Sequence, residues 1–276
     1  MSEARPGITF DKRLPRRRAH EMVLMFAKHG NHYGKGKFRT DAEVKRFLSQ
    51  KGYDFNGVVE NARDFFENAV PFFENFVGAT FHFHVSSEGP SSAKASLIEK
   101  GEPVATIDTP GEISVAYQAL FEHAVRCINR IPENPVSLYQ EFLAACSAGI
   151  SSIEAYMRHR ADLWNREHPD DLLLDDKDHK ISLEDQIDRW VPKMTGKRLD
   201  KSGSDWQGYR KIKSLRDNQA IHPKSGGLSM SLGDLAKSIN DFCGIAGVLI
   251  QLHILFEEQI PRAIIRRYFH PDAKVL

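Results

Sequence analysis

The feature that most constrains the fold is an apolar repeat at helical spacing in the second half of the chain. Apolar residues recur there every three or four positions: Phe142, Cys146, Ile150, Ile153 and Met157. This spacing places all of them on one face of a helix, and such a face must be buried against other elements. The segment therefore predicts a long helix that packs into the core of a helical bundle.

The remainder of the second half is also expected to be helical. Polar pairs with helix-capping spacing mark three predicted starts: Ser137 with Gln140, Ser182 with Asp185, and Ser231 with Asp234. We expect Pro192 to end the helix that begins near Ser182, because proline disrupts a helix interior. Further helices are expected at about 205–221 and 261–269. Four or five helices with short connections predict a bundle.

Two prolines, Pro132 and Pro135, divide the chain into two regions, because closely spaced prolines interrupt helices and stiffen the backbone. Residues 136–276 are the predicted bundle, and residues 1–130 are an α+β region of unknown role that begins with a basic arm at 1–18. Three strands of a small β-meander are expected in this region, at about 79–85, 93–99 and 103–108. Since helical segments surround these strands, the fold class is mainly α.

The composition is that of a globular protein, with 41% hydrophobic and 27% charged residues, and it excludes a disordered or collagen-like chain. The longest uncharged apolar run, 245–256, is too short to cross a membrane, and the N-terminus carries no apolar signal segment. Cys127, Cys146 and Cys243 are too few for a disulfide framework and are expected to be buried. We therefore expect a soluble cytoplasmic protein with no membrane partner.

No metal site and no cofactor are expected. His82 and His84 share one face of a predicted strand, but no third ligand accompanies them. The acidic run at 170–178 lacks the glycine and the terminal glutamate of an EF-hand loop. The glycine-rich stretch at 30–37 resembles a phosphate-binding loop only loosely. A solvent-facing strand, a solvated acidic loop and a flexible basic loop are the preferred interpretations.

A group of polar and charged residues lies at 215–223, at the end of a predicted basic helix. On a continuous helix, Arg216 and His222 would lie about 120° apart. Pro223 disfavours the helical conformation at His222, so the imidazole is expected at the helix end, free to turn toward Arg216. An imidazole that titrates near neutral pH beside a guanidinium is suited to proton transfer next to a phosphate. The structural alternative is a histidine that caps the helix dipole.

This segment resembles the signature of the HEPN superfamily (higher eukaryotes and prokaryotes nucleotide-binding). That signature is an arginine, a polar residue directly after it, and a histidine after four to six intervening residues. Here five residues separate Arg216 from His222, and Asp217 occupies the polar position. The resemblance implies a four- or five-helix bundle with the motif near the end of a late helix and a long apolar helix after it. It covers the C-terminal half only.

The resemblance also implies a function. Many members are metal-independent endoribonucleases that act as homodimers, as toxins or in antiviral defence and abortive infection. It implies that Arg216, His222 and Asp217 are catalytic, and Glu154 is similar to a supporting acidic residue that some members place near the motif. Asn218 is also expected to support the motif, and an antitoxin or a trigger protein is an expected partner. RNA would be cleaved by its own 2′-OH to give 2′,3′-cyclic phosphate and 5′-OH ends. The alternative is a catalytically inactive module that dimerises or binds a nucleotide or partner.

The chemistry itself favours a dimer. Cleavage through the 2′-OH needs one base and one acid, and a single chain offers only one histidine in this motif, whereas a two-fold dimer offers two. We expect the two-fold axis to pass close to His222. Trp206, Tyr209 and Ile212 are expected to be exposed beside the motif and to contribute to the interface.

A basic block surrounds the motif in sequence. Residues 193–224 contain nine Lys or Arg against three Asp, and such a block can mark a polyanion site. The residues expected to bind RNA phosphates are Lys193, Lys197, Arg198, Lys201, Arg210, Lys211 and Lys213. A solvated face balanced by the acidic segment at 162–188 is the alternative interpretation.

Overall fold

The computed structural model describes residues 7–29, 38, 40–64, 82–89, 92–99, 102–110, 117–131, 137–173, 181–218, 230–258 and 260–276. The described chain is mainly helical, as predicted. Its helices are α1 (Arg16–His29), α2 (Asp41–Gln50), α3 (Phe55–Asp64), α4 (Tyr117–Arg130), α5 (Leu138–Glu167), α6 (Leu183–Thr195), α7 (Ser204–Arg216), α8 (Leu232–Asp241), α9 (Cys243–Leu255) and α10 (Arg262–Tyr268). Its strands are β1 (Ile8–Phe10), β2 (His82–Gly89), β3 (Ser92–Glu99), β4 (Glu102–Pro110) and β5 (Ala273–Val275).

The strands form two small antiparallel sheets. One is a meander in the order β2-β3-β4, which confirms the predicted meander with strand ends that differ by a few residues. The other pairs β1 with β5, so that Ile8 lies opposite Val275. The second sheet was not predicted, because three-residue strands carry almost no periodic signal.

The apolar repeat lies on α5, a helix of 30 residues. All five of its predicted core residues, from Phe142 to Met157, are fully buried. The helix packs along α4 and also contacts α6, α7 and α9. A buried helical assembly in the second half is therefore present, whereas its membership of the HEPN type stays a prediction.

The three predicted helix starts at Ser137, Ser182 and Ser231 are correct, whereas the predicted end at Pro192 is wrong. Ser182 and Ser231 each accept a hydrogen bond from the backbone N–H three residues later, at 3.1 Å, and start α6 and α8 as predicted. Ser137 makes no capping hydrogen bond, so its predicted capping box is absent. Pro192 lies inside α6 rather than at its end. The helix ends instead at Gly196, whose φ of 70° is the left-handed conformation that glycine adopts without strain.

The apolar stretch after Ser231 is divided into α8 and α9 at Phe242, although one continuous helix was expected. Residues Leu232–Leu255 are the one stretch of the described chain that is long and apolar enough to cross a membrane, by length and composition alone. Inside the fold, 61% of its most apolar window is buried. This burial is compatible with the core helix of a soluble protein.

Residues from both predicted regions contribute to one buried apolar cluster. Arg18 of α1 donates to the Tyr268 carbonyl oxygen, and its Nη1 lies 2.8 Å from a carboxylate oxygen of Asp272. The predicted linker at 131–135 lies almost entirely outside the described residues. The division of the chain into two regions therefore stays a prediction.

Helices α7 and α9 approach each other closely because glycines face each other at their crossing. A Cβ atom added to Gly208 would lie 2.6 Å from the carbonyl oxygen of Asp241 and 3.1 Å from the Cα atom of Gly244. A Cβ atom on Gly244 would lie 2.4 Å from the backbone nitrogen of Tyr209. This contact fixes α7, and with it the position of Arg216 at its C-terminal end.

The prediction that Trp206, Tyr209 and Ile212 are exposed is wrong. These three residues are 5%, 0% and 0% exposed, and they lie on the face of α7 that is turned to the core. These three side chains therefore cannot form an interface between chains. Among the cysteines, Cys127 and Cys146 are buried as expected, whereas Cys243 is partly exposed.

Candidate active site

The motif begins at Arg216, the last residue of α7. Asp217 continues the helical backbone, with φ −64° and ψ −41°. The Asn218 side-chain amide donates back to the Ser214 carbonyl oxygen at 2.8 Å, so it faces the preceding turn rather than Arg216. His222 belongs to the segment 219–229, which is outside the residues that the structure describes.

Two carboxylates hold the guanidinium of Arg216. Its Nη1 donates to Glu154 Oε1 on α5 at 3.1 Å. Its Nε and Nη2 each lie 2.9 Å from Asp217 Oδ1. Only 12% of the Arg216 side chain is exposed. The structure thus brings Glu154 and Asp217 together with Arg216, although Glu154 is 62 positions away in sequence.

Both members of the adjacent pair remain charged. Burial disfavours the charge on Arg216, but hydrogen bonds and charge attraction from Asp217 and Glu154 outweigh it and raise the pKa of the guanidinium. Burial likewise acts to raise the pKa of Asp217, yet hydrogen bonds from Arg216 and Lys213 lower it overall. The site therefore holds a permanent cation in a fixed orientation between two carboxylates.

A second set of residues extends this arrangement, and sequence reasoning missed its role. Lys213 Nζ lies 3.2 Å from Asp217 Oδ2 and 3.3 Å from Glu184 Oε1 on α6. The hydroxyl of Tyr209 donates to the same Glu184 oxygen at 3.1 Å. The four-residue spacing of Lys213 and Asp217 was a usable signal, but nothing in the sequence links either of them to Glu184.

Most of the predicted RNA-binding residues are paired with acids. The ion pairs are Lys193 with Asp171 (2.7 Å), Lys197 with Glu257 (3.4 Å), Lys201 with Asp188 (2.6 Å), Lys211 with Asp241 (2.9 Å), and Lys213 as described. Arg198 and Arg210 are exposed, and no ion pair joins either to another described residue.

Three of these basic residues lie far from Arg216. Lys197, Arg198 and Lys201 precede the first turn of α7, whereas Arg216 is its last residue. At ~1.5 Å per residue the two ends of this helix are roughly 18 Å apart. Of the seven, Lys213 alone is linked to the motif through an observed contact among the described residues, by way of Asp217.

No group of three or more His, Cys, Asp or Glu able to hold a metal ion occurs within the described ranges. The side chains of His82 and His84, the glycine-rich stretch at 30–37 and most of the acidic run at 170–178 lie outside them.

A cavity of about 390 Å³ lies near the other end of α7, lined by Arg18, Asp205, Asp241 and Cys243 among others. Its charged groups already have protein partners. Arg18 pairs with Asp272, Asp241 pairs with Lys211, and Asp205 accepts from the Tyr268 hydroxyl at 3.3 Å. The cavity is thus not part of the arginine site.

Comparison with known proteins gives no relative: no family model, no curated protein and no solved structure matches this chain.

Proposed function

We propose that this protein is a metal-independent endoribonuclease of the HEPN type, which acts in the cytoplasm as a toxin or defence effector. The observation that carries the proposal is the oriented guanidinium of Arg216, held by Asp217 and by Glu154 at the end of a late helix. Two helices, α8 and the apolar α9, follow in the chain where the resemblance implies one long apolar helix. A fixed, permanently charged fork of this kind suits the stabilisation of a phosphorane.

In the proposed mechanism, two histidines divide the proton transfers. His222 of one chain takes the proton of the 2′-OH, and His222 of the second chain gives a proton to the leaving 5′-oxygen. Arg216 donates to the phosphate oxygens as charge develops on them. The products are a 2′,3′-cyclic phosphate and a 5′-OH end. DNA, which lacks the 2′-OH, is not a substrate for this route.

One observation favours the second candidate, a catalytically inactive module that dimerises or binds a nucleotide or partner. The donors of Arg216 already face two carboxylates, and its side chain is largely buried. In an active enzyme, the phosphate must either use the remaining N–H groups of Arg216 or displace Glu154. A binding module needs neither step.

The decisive experiment incubates the purified protein with total RNA in excess EDTA. Cleavage is expected, and it should be lost in His222→Ala but retained in the control His123→Ala, which changes an exposed histidine on α4. Arg216→Lys should lower the rate by about 10²–10³, because a point charge does not reproduce the bidentate fork. Intact RNA at high protein concentration would favour the inactive module.

The composite site is tested separately. Light scattering at micromolar concentration should give a homodimer, and a monomer would contradict the shared-histidine mechanism. A mixed dimer of wild-type and His222→Ala chains lacks one of the two histidines, so its composite centre should be inactive. Retention of half the activity would show instead that each chain carries a self-contained site.

A further inference from the structure

Asp217 lies where a carboxylate is least favoured on a helix. The C-terminal end of α7 carries the negative end of the helix dipole, and Asp217 follows the last residue of that helix. Two cations in the last turn compensate for this, and each takes a different oxygen of Asp217: Arg216 contacts Oδ1 and Lys213 contacts Oδ2. The orientation of this carboxylate therefore depends on both neighbours.

Lys213 is itself held at two points. Its Nζ bridges Asp217 and Glu184, at 3.2 and 3.3 Å, and 27% of its side chain is exposed. Fixing a lysine side chain costs rotamer entropy, so a single partly exposed ion pair would leave it mobile. The second carboxylate restricts the ammonium group to the space between α6 and α7.

Glu184 is in turn held by a rigid donor. The hydroxyl of Tyr209 donates to Glu184 Oε1 at 3.1 Å, and the Tyr209 residue is 0% exposed. Burial, followed by the negative charge of Glu184, raises the pKa of this phenol, so the hydroxyl remains a donor at neutral pH. The chain of contacts therefore starts in the core and ends at Arg216.

We propose that Lys213, Glu184 and Tyr209 are positioning residues, which hold Asp217 and through it fix the orientation of Arg216. This inference rests on the proposed function for its effect on catalysis, but the contacts themselves do not. It gives Lys213 a different role from the other basic residues: it acts on the site through Asp217 rather than by binding an RNA phosphate.

Kinetics distinguish the two roles of Lys213. If it positions Asp217, Lys213→Met should lower kcat by about tenfold to a hundredfold and leave KM within about twofold. Lys213→Arg should retain much of the wild-type kcat, because the guanidinium fork of arginine can reach the carboxylates of both Asp217 and Glu184. If Lys213 binds phosphate instead, Lys213→Met should raise KM and reduce the salt dependence of binding, and that result would overturn the proposal.

Two matched controls separate the proposed role from general effects of substitution. Lys274→Met removes a lysine that pairs with Asp11, in β5 and away from α7, and should not change kcat. Tyr209→Phe removes only the hydroxyl that holds Glu184 and should lower kcat by a smaller factor than Lys213→Met. Tyr268→Phe removes a hydroxyl that donates to Asp205 and should not lower kcat. Equal effects of Tyr209→Phe and Tyr268→Phe would contradict the proposal.

A measurement without RNA makes the inference independent of activity. The Arg216 Nε–H donates to Asp217, so its ¹⁵N signal and its hydrogen exchange rate report the contact in the whole chain. Lys213→Met should shift this signal and speed its exchange, whereas Lys274→Met should not. An unchanged Arg216 signal in Lys213→Met overturns the inference. Absence of cleavage by the wild-type protein, with a changed signal in Lys213→Met, overturns the proposed function alone.

Discussion

Gly208→Ala should destabilise the protein, because Gly208 is where α7 meets α9 through backbone atoms. The new Cβ would lie 2.6 Å from the Asp241 carbonyl oxygen and 3.1 Å from the Gly244 Cα. Ordinary non-bonded contacts are about 3.5–4.0 Å. The atoms in the way belong to backbone and cannot rotate aside, so the two helices must separate by about 1 Å at this point.

The size of the effect follows from two opposing contributions. Overpacking of this kind costs about 1–3 kcal/mol, and alanine in a helix recovers about 1 kcal/mol relative to glycine. We expect a net loss of up to about 2 kcal/mol in the free energy of unfolding for Gly208→Ala. Gly244→Ala should lose more, because its Cβ would lie 2.4 Å from a backbone nitrogen and 2.5 Å from a backbone oxygen.

Urea unfolding at pH 7 measures this difference against an internal control. Gly233 lies in α8, and a Cβ there would meet Ser231 Oγ at an ordinary 3.7 Å, so Gly233→Ala gains helix propensity without a clash. The unfolding midpoint should fall for Gly208→Ala and rise or stay level for Gly233→Ala. Equal stability of the two variants would refute the close approach of α7 and α9.

Three further outcomes are expected. Burial, followed by the charge of Arg267, lowers the pKa of His270 to about 4, so below about pH 6.5 the unfolded chain binds more protons than the folded one. The free energy of unfolding should therefore fall by up to about 3 kcal/mol between pH 6.5 and 4. Urea midpoints at pH 7 and 5 should differ less in His270→Gln than in the wild-type protein. Arg267 is 2% exposed, and its Nε and Nη1 have no hydrogen-bond partner among the described residues. Arg267→Met should therefore cost less stability than Arg160→Met, which breaks an ion pair with Glu258. The reverse order in thermal unfolding would disprove this. Charge reversal of Arg198 and Arg210 together should reduce the salt slope of RNA binding by about one unit for each lost phosphate contact, and an unchanged slope would mark both as solvated residues.

The parts of the fold that could be predicted are those encoded by neighbouring residues. The buried face of α5 follows from the period of its apolar residues, and the starts of α6 and α8 follow from serines that cap them. Pro192 was placed at a helix end because proline is rare in helix interiors, yet it lies within α6. The decisive stop signal there is Gly196, four residues later, with its positive φ.

The contacts that could not be predicted join residues far apart in the chain. Glu184 meets Lys213 and Tyr209 only because α6 packs beside α7, and no local pattern encodes that arrangement. Tyr209 and its aromatic neighbour on α7, Trp206, were expected at the surface beside the motif, as part of a dimer interface. In the structure α7 is amphipathic: Arg210 and Lys211 are exposed, whereas both aromatic residues are buried.

The pairing of β1 with β5 also has a consequence for the order in which the molecule assembles. The pair closes a loop of roughly 260 residues, which would cost an unstructured chain about 5 kcal/mol in closure entropy, more than three paired residues can offset. Once Arg18 has engaged Tyr268 and Asp272, the two segments are already adjacent and the remaining closure is nearly free. These two strands should therefore pair last during folding and separate first during local unfolding. Their amide protons should exchange well before those of α5 and α9.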